Sequence, residues 1–192
     1  MIDKIYRTFI SVPVSKEIMS KKTMLYSTID SAKGNINWVR NNHLHLTIKY
    51  LGNTPESEFE KVIESIESAT NHIPAFKLRI EKTGCFPAPE RPRVLWMGVR
   101  GVLEPLKVLA SRIESNMEAL GFPVEARSCV PHITVAKISY PQKTTPNVSL
   151  FLNSTYDPID LEVDRVQFLH SETMSSETIY TLIKSFPLGE NF

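Results

Sequence analysis

Two short stretches of this 192-residue chain carry the same reactive side chains in the same order. The first is His45-Leu46-Thr47-Ile48 and the second is His132-Ile133-Thr134-Val135. Each reads His, aliphatic, Thr, aliphatic. In an extended strand successive side chains alternate faces, so each His shares a face with its Thr and the aliphatic residues point to a core. If the two polar faces oppose each other across a cleft, the site holds two imidazoles and two hydroxyls. Imidazoles titrate near neutrality, so one can serve as base while the other serves as acid. Threonine hydroxyls donate hydrogen bonds to a phosphoryl oxygen without adding charge, and a nearby Lys or Arg offsets developing negative charge. Neither tetrapeptide contains a carboxylate to hold a metal. In-line displacement at a phosphodiester fits this set and requires no metal and no cofactor.

Strict alternation assigns the neighbours. His43, His45, Thr47 and Lys49 fall on one face of the first strand, and Leu44, Leu46, Ile48 and Tyr50 on the other. His43 and Lys49 are therefore expected at the edge of the cleft. In the second strand Lys137 turns away from His132 unless the strand ends or bulges before it. A competing arrangement makes His43, His45 and His132 a zinc triad, since alternate strand histidines can share a metal. It leaves both threonines without a task. His72 and His170 read as structural or solvated, and Trp38, Trp96 and Phe86 as core. Arg91, Arg93 and Arg127 form either a basic rim for RNA or ordinary solvated surface.

The elements that must position these residues can be read in order. Ile5 to Val14 is rich in β-branched and aromatic residues and predicts a strand. Lys16 to about Ala32 carries a helical stripe, with Gly34 as its stop. Ile36 to Val39 is short and extended. Thr54 and Pro55 predict a helix start, followed by Phe59, Val62, Ile63, Ile66 and Ala69 at helical spacing. Phe76 to Ile80 alternates as a half-buried strand, Gly84 to Pro92 is a proline-rich turn, and Arg93 to Val99 is a buried strand. Leu103 to Leu120 is an amphipathic helix closed by Gly121. The second motif lies on a strand from Pro131 to Ile138. Residues 142 to 148 read as a loop. Ile159 to Leu169 alternates and then shifts phase, and Thr178 to Phe186 is a last strand. Short strand-to-strand links imply antiparallel pairing, so the expected class is α+β, with helices packed on one face of antiparallel sheets. A helix before each motif strand points to two pseudo-symmetric lobes within one domain spanning residues 1–192.

Composition excludes several alternatives. The apolar fraction is 42% and the charged fraction 22%, ordinary for a chain that buries a real core. Net charge is +1, so no global field favours nucleic acid and anion binding must come from a local patch. No apolar stretch approaches the roughly 20 residues needed to span a bilayer, so no membrane partner is expected. The N-terminal residues show no signal-peptide pattern. Cys85 and Cys129 are the two cysteines. They are expected to be free packing residues in a reduced, cytoplasmic compartment.

With these residues in view, the chain resembles the 2H phosphoesterase superfamily, named for two His-x-Thr/Ser-x motifs. More closely it resembles the RNA 2′,3′-cyclic phosphodiesterase family, historically called 2′-5′ RNA ligases. Besides the two motifs, the resemblance rests on Arg7-Thr8-Phe9-Ile10-Ser11-Val12-Pro13, on Trp38-Val39, on Leu46 to Gly52, and on Gly84-Cys85-Phe86-Pro87 with Pro92 to Val99. It implies a fold of two lobes around a central cleft lined by both motifs. It implies hydrolysis of a 2′,3′-cyclic phosphodiester, on an RNA end or a cyclic nucleotide, to a 2′-phosphomonoester by a monomeric enzyme. Carried over by motif position, His45 is the proton donor to the departing 3′ oxygen and His132 the proton acceptor from water. Thr47 and Thr134 hold the phosphate. Relatives often carry arginine five residues after the second histidine. Lys137 stands there in this chain, keeping the charge but not the bidentate fork. Two other readings fit the same residues: the reverse reaction, joining a cyclic end to a 5′-hydroxyl in a 2′-5′ bond, and a non-catalytic binder of RNA ends.

Overall fold

The computed structural model describes residues 3–29, 35–125, 130–174 and 177–189. The strands are β1 (Ile5–Pro13), β2 (Ile36–Trp38), β3 (His45–Pro55), β4 (Phe76–Phe86), β5 (Val94–Arg100), β6 (His132–Ile138), β7 (Ile159–Val163), β8 (Arg165–Met174) and β9 (Glu177–Pro187). The helices are α1 (Lys16–Met24), α2 (Phe59–Thr70), α3 (Glu104–Ala119) and the single turn α4 (Ser149–Leu152).

All the strands join one sheet in the order β7-β4-β5-β6-β3-β1-β8-β9, with β2 added beside β6. Every pairing is antiparallel. The two motif strands are the two central ones. To one side of the seam lie β1, β8 and β9, and to the other lie β5, β4 and β7. The predicted α+β class and its two lobes are both present: each lobe is four antiparallel strands with a motif strand innermost, and the second lobe adds the short β2 beside β6. The apolar residues of α1, α2 and α3 join the buried strand residues in one core, with Ile18, Ile66, Leu109 and Ile113 all fully covered.

Several element limits differ from the sequence reading, each for a local reason. The first helix ends at Met24 and continues only as a 3₁₀ turn, Leu25–Thr28. Ala32 and Gly34 lie outside the described residues. Thr54 does not cap a helix. It is the buried penultimate residue of β3, and its hydroxyl bonds that of Thr8 at 2.7 Å. The chain then makes a 3₁₀ turn, Glu56–Glu58, before α2. The strand predicted at Phe76 to Ile80 runs on through Phe86, because its second half pairs with β5. The phase shift read after Val163 marks a change of lobe. Residues 159–163 pair with β4, whereas residue 165 onward pairs with β9 and then β1.

Candidate active site

The seam sets the site. β3 and β6 meet at Leu46 opposite Ile133, the residues that follow the two histidines. Both are buried to within 1%. Full burial of such side chains is worth roughly 1.5–3 kcal/mol each, so the pair anchors the two lobes at one register. Continuing that antiparallel register by one residue each way sets His45 opposite Thr134 and Thr47 opposite His132. All four side chains then stand on the face away from the core. Each lobe thus supplies one His and one Thr, and each His faces the other lobe's Thr.

The two rings are held by the same device. His45 Nδ1 lies 2.7 Å from the carbonyl of His43, and His132 Nδ1 lies 2.7 Å from the carbonyl of Val130. A carbonyl only accepts, so each Nδ1 carries the proton and donates. Nε2 is left as the nitrogen free to exchange a proton in both rings. Each ring also packs on an aromatic side chain. Phe9 stacks on His45 with centroids 4.9 Å apart, and Phe86 meets His132 edge-on at 5.1 Å. Burial lowers the affinity of His45 for a proton below the ordinary imidazole range, and the charges of Lys137, His43 and His132 add to that. The bond to the His43 carbonyl opposes the shift.

A bulge at the last residue of each motif decides what else faces the cleft. In β3, Ser11 pairs with Thr47 but Ile10 pairs with Lys49, so Ile48 is the extra residue. In β6, Trp96 pairs with Thr134 but Leu95 pairs with Ala136, so Val135 is the extra residue. A bulge resets the alternation. Lys137 therefore turns into the cleft, meeting the condition the sequence set for it. By the same shift the fifth residue after His45, Tyr50, also lines the cleft and is 46% exposed. The expectation for Lys49 is overturned: it is 2% exposed, on the core side, and its ammonium donates to Glu114 Oε1 at 2.8 Å and to the Pro123 carbonyl at 2.9 Å. Tyr50, assigned to the core by strict alternation, is overturned for the same reason.

Other residues were missed by sequence reasoning. Arg7, Ser171, Thr173, Thr178 and Tyr180 extend the cleft along the first lobe. Tyr180 packs edge-on against Phe9 at 5.0 Å and lies 4.4 Å from the His43 ring. Burial and the neighbouring Tyr50 push its phenol up, so it stays a neutral hydroxyl. Lys22, nearly fully buried, donates to the Val39 carbonyl at 2.6 Å and to Asn41 Oδ1 at 3.0 Å, with the Tyr26 ring beneath it. It ties α1 to the 3₁₀ turn, Asn41–His43, that leads into β3. Its signal in sequence was only a lysine on a weakly amphipathic helix.

The remaining candidates fall as follows. His43 lies at the cleft edge as expected, at the end of that turn rather than on the strand. Among the described residues no three His, Cys, Asp or Glu side chains are placed to hold a metal ion, so His43, His45 and His132 do not assemble as the zinc triad weighed above. Trp96 sits on the cleft face opposite Thr134, stacked over Gly84, where any Cβ would collide with the indole at 2.1 Å. Phe86 leans on Trp96 and His132 rather than entering the core. Arg91 and Arg93 stack on Tyr140, at 5.0 and 5.6 Å from its ring. Cys85 is a free thiol, and Arg127 and Cys129 lie outside the described residues. No helix is long and apolar enough to cross a membrane among the described residues.

Two antiparallel lobes that bring a His and a Thr each to a common seam define a phosphoesterase of the two-histidine class. Residues 12–96 match the family described as LigT like Phosphoesterase. A protein of Archaeoglobus fulgidus named RNA 2′,3′-cyclic phosphodiesterase is 30% identical over 132 residues, covering 69% of this chain and 72% of that one. One of the same name from Aquifex aeolicus is 28% identical over 187 residues, 97% and 99% of the two chains. The fold matches a crystal structure of a Thermus thermophilus protein with a TM-score of 0.80 at 24% identity, covering 96% of this chain and all of that one. It also matches E. coli LigT complexed with 3′-AMP, with a TM-score of 0.79 at 21% identity over 97% of this chain and all of that one. This chain belongs to the LigT-like phosphoesterase family, and it is an enzyme of that kind.

Proposed function

We propose that this protein hydrolyses 2′,3′-cyclic phosphate ends of RNA to 2′-phosphomonoesters by two-histidine acid–base catalysis. The observation that carries the reading is the Leu46–Ile133 register, which sets each motif's His across from the other motif's Thr. The names of the relatives supply the substrate class. In this reading Thr47, Thr134 and Lys137 hold the two free oxygens of the cyclic phosphate. His132 Nε2 takes a proton from water as the water oxygen attacks phosphorus. The bond from phosphorus to the 3′ oxygen breaks in line, and His45 Nε2 gives that oxygen its proton. The products are a 2′-phosphomonoester and a free 3′-hydroxyl, and the enzyme recovers its starting protonation by exchange with water. The same groups run the reverse step, joining a cyclic end to a 5′-hydroxyl. In water, hydrolysis dominates because the joining reaction must capture two ends at once.

The test is incubation with a cyclic-ended oligoribonucleotide, in the presence of chelator, with 2′- and 3′-phosphate products resolved. A 2′-phosphate product is expected. A 3′-phosphate product reverses the assignment of the leaving oxygen. Tight binding of RNA ends without turnover of any cyclic substrate turns the protein into a binder.

The lowered His45 proton affinity gives a second expectation. In the empty cleft the ring is neutral at pH values where a free imidazole is still partly charged. A proton donor must carry its proton, so kcat/KM, which reports the free enzyme, falls as pH rises through that lowered pKa. A bound phosphate anion favours the imidazolium, so the corresponding limb of kcat lies at higher pH. NMR titration of the His45 ring should give a pKa below the ordinary value of 6.5. Addition of inorganic phosphate should raise it. A kcat/KM that does not fall as pH rises through the measured His45 pKa, with that pKa unmoved by phosphate, removes the proton-donor assignment.

A further inference from the structure

The cleft does not end at the two motifs. Beside β3, the face of β1 that carries Phe9 under His45 also carries Arg7 two residues further along, and both line the cleft. In a strand that step is about 6.6 Å, the scale of one nucleotide. In the sheet, Arg7 is directly opposite Ser171 on β8, and Ser171 is directly opposite Tyr180 on β9. Thr173 and Thr178 form the next cross-strand pair but one on the same face, and both line the cleft. Among the described residues no carboxylate pairs with the Arg7 guanidinium, and no Asp or Glu lines this cleft. The neighbouring Ser171 hydroxyl donates to the Arg7 carbonyl at 3.3 Å, which leaves the guanidinium, the two threonine hydroxyls and the Tyr180 phenol as donors at this end of the cleft. A cation flanked by uncharged donors, one strand step from the motif residues and without an anion of its own, suits a phosphate.

We propose that Arg7, with the Thr173–Thr178 hydroxyl pair, is a second phosphate subsite that takes the phosphate on the 5′ side of the cyclic-ended nucleotide, so that the protein prefers an RNA chain to a free cyclic nucleoside phosphate. The inference rests on the phosphodiesterase reading, because that reading places the cyclic phosphate at His45 and His132. It adds what the motifs do not determine: where the rest of the substrate lies, and which residue selects it. The chemistry recognised is a phosphate five bonds upstream of the ribose 3′ oxygen, whether it belongs to an internucleotide link or to a 5′-monoester.

Three substrates separate these cases: a nucleoside 2′,3′-cyclic phosphate, the same compound with a 5′-monophosphate, and a cyclic-ended tetraribonucleotide. For the parent enzyme kcat/KM should rise at least tenfold from the first to the third. For Arg7→Gln that ratio should collapse toward one, with Arg7→Lys in between because it keeps the charge without the fork. A 5′-monophosphate that rises as far as the tetranucleotide shows that the phosphate itself is read. One that does not rise assigns the site to an internucleotide link. Equal losses on all three substrates, or no loss on any, overturn the subsite. A binding arm keeps the proposal testable if turnover fails for all. Fluorescence anisotropy with a labelled tetranucleotide ending in a 2′-phosphate should show Arg7→Gln binding about tenfold more weakly. The slope of log K against log salt should fall by about 0.7, the value for one phosphate contact on a single strand. Unchanged affinity and slope overturn the subsite independently, whereas inertness on every cyclic substrate overturns only the phosphodiesterase reading.

Discussion

Replacing either motif histidine by alanine is expected to lower kcat/KM on a cyclic-ended oligoribonucleotide by about 10²–10⁴-fold. The two rings are held alike through Nδ1, so each substitution removes one Nε2 and with it one proton transfer. The double substitution should fall little below the worse single one, because an acid and a base that act in one displacement are not additive. Thr47→Val and Thr134→Val remove a hydrogen bond to the phosphate rather than a proton path, so smaller losses are expected of them. All of these are read in chelator. Activity that vanishes with EDTA and returns with zinc would falsify the two-histidine reading. The folded state is checked in parallel by thermal melting, since neither ring is part of the apolar core.

The symmetry of the two halves was legible in the sequence, and so was the placement of the four motif side chains, because a repeated His-x-Thr needs only strand alternation to put both groups on one face. The helices α2 and α3 were legible from their stripes, with limits moved by a few residues. Two kinds of feature were not legible. The first is the pair of bulges at Ile48 and Val135. A bulge depends on how a neighbouring strand is registered, and nothing in a local alternation pattern reports it. From the sequence, Lys49 faced the cleft and Tyr50 the core. The structure exchanges them, and for the same reason it brings Lys137 into the cleft. The second is everything contributed by strands distant in sequence. Arg7 shares the cleft with His45 because β1 pairs with β3, and Ser171, Thr173, Thr178 and Tyr180 reach it because β1 also pairs with β8 and β8 with β9.

The pseudo-symmetry is broken beside the motifs, where the proposed acid and base take different roles. Opposite Thr47 lies Ser11, and opposite Thr134 lies Trp96. The fifth residue after the histidine is a neutral phenol in the first half and a cation in the second. Lys137 therefore serves both lobes. It adds to the lowering of the His45 proton affinity in the empty cleft, and it supplies the positive charge that a cyclic phosphate would meet. In the proposed reaction a bound phosphate would offset the charge of Lys137 and leave His45 freer to hold the proton it donates. One cation so placed would tie the protonation of the proposed acid to occupancy of the site.

The exchange of Lys49 and Tyr50 has a consequence for stability that separates the two descriptions of this strand. Lys49 joins β3 to α3 through Glu114 and to the segment after α3 through the Pro123 carbonyl. Its side chain is 1% exposed while that of Glu114 is 27% exposed, so the two ends of the ion pair are unequal. Glu114→Ala leaves an ammonium buried with a single carbonyl for a partner, and should cost roughly 2–4 kcal/mol, the partial exposure of the carboxylate tempering the full cost of breaking a buried pair. For a chain of this size that lowers Tm by about 4–16 °C. Lys49→Met removes the buried charge and keeps most of the volume, so its cost should stay below about 1.5 kcal/mol. Glu114 then turns to solvent or keeps its bond from the Glu125 amide. The double variant should lie near Lys49→Met alone, since Glu114→Ala does its damage only through the charge left behind. Urea denaturation of the four proteins gives the coupling directly, and equal losses for the two single variants would show that the pair is a surface contact. Activity supplies the other half of the test. A lysine at the cleft edge would take a large share of kcat/KM with it, whereas a lysine in the core should leave kcat/KM of Lys49→Met within a few-fold of the parent once the protein is folded.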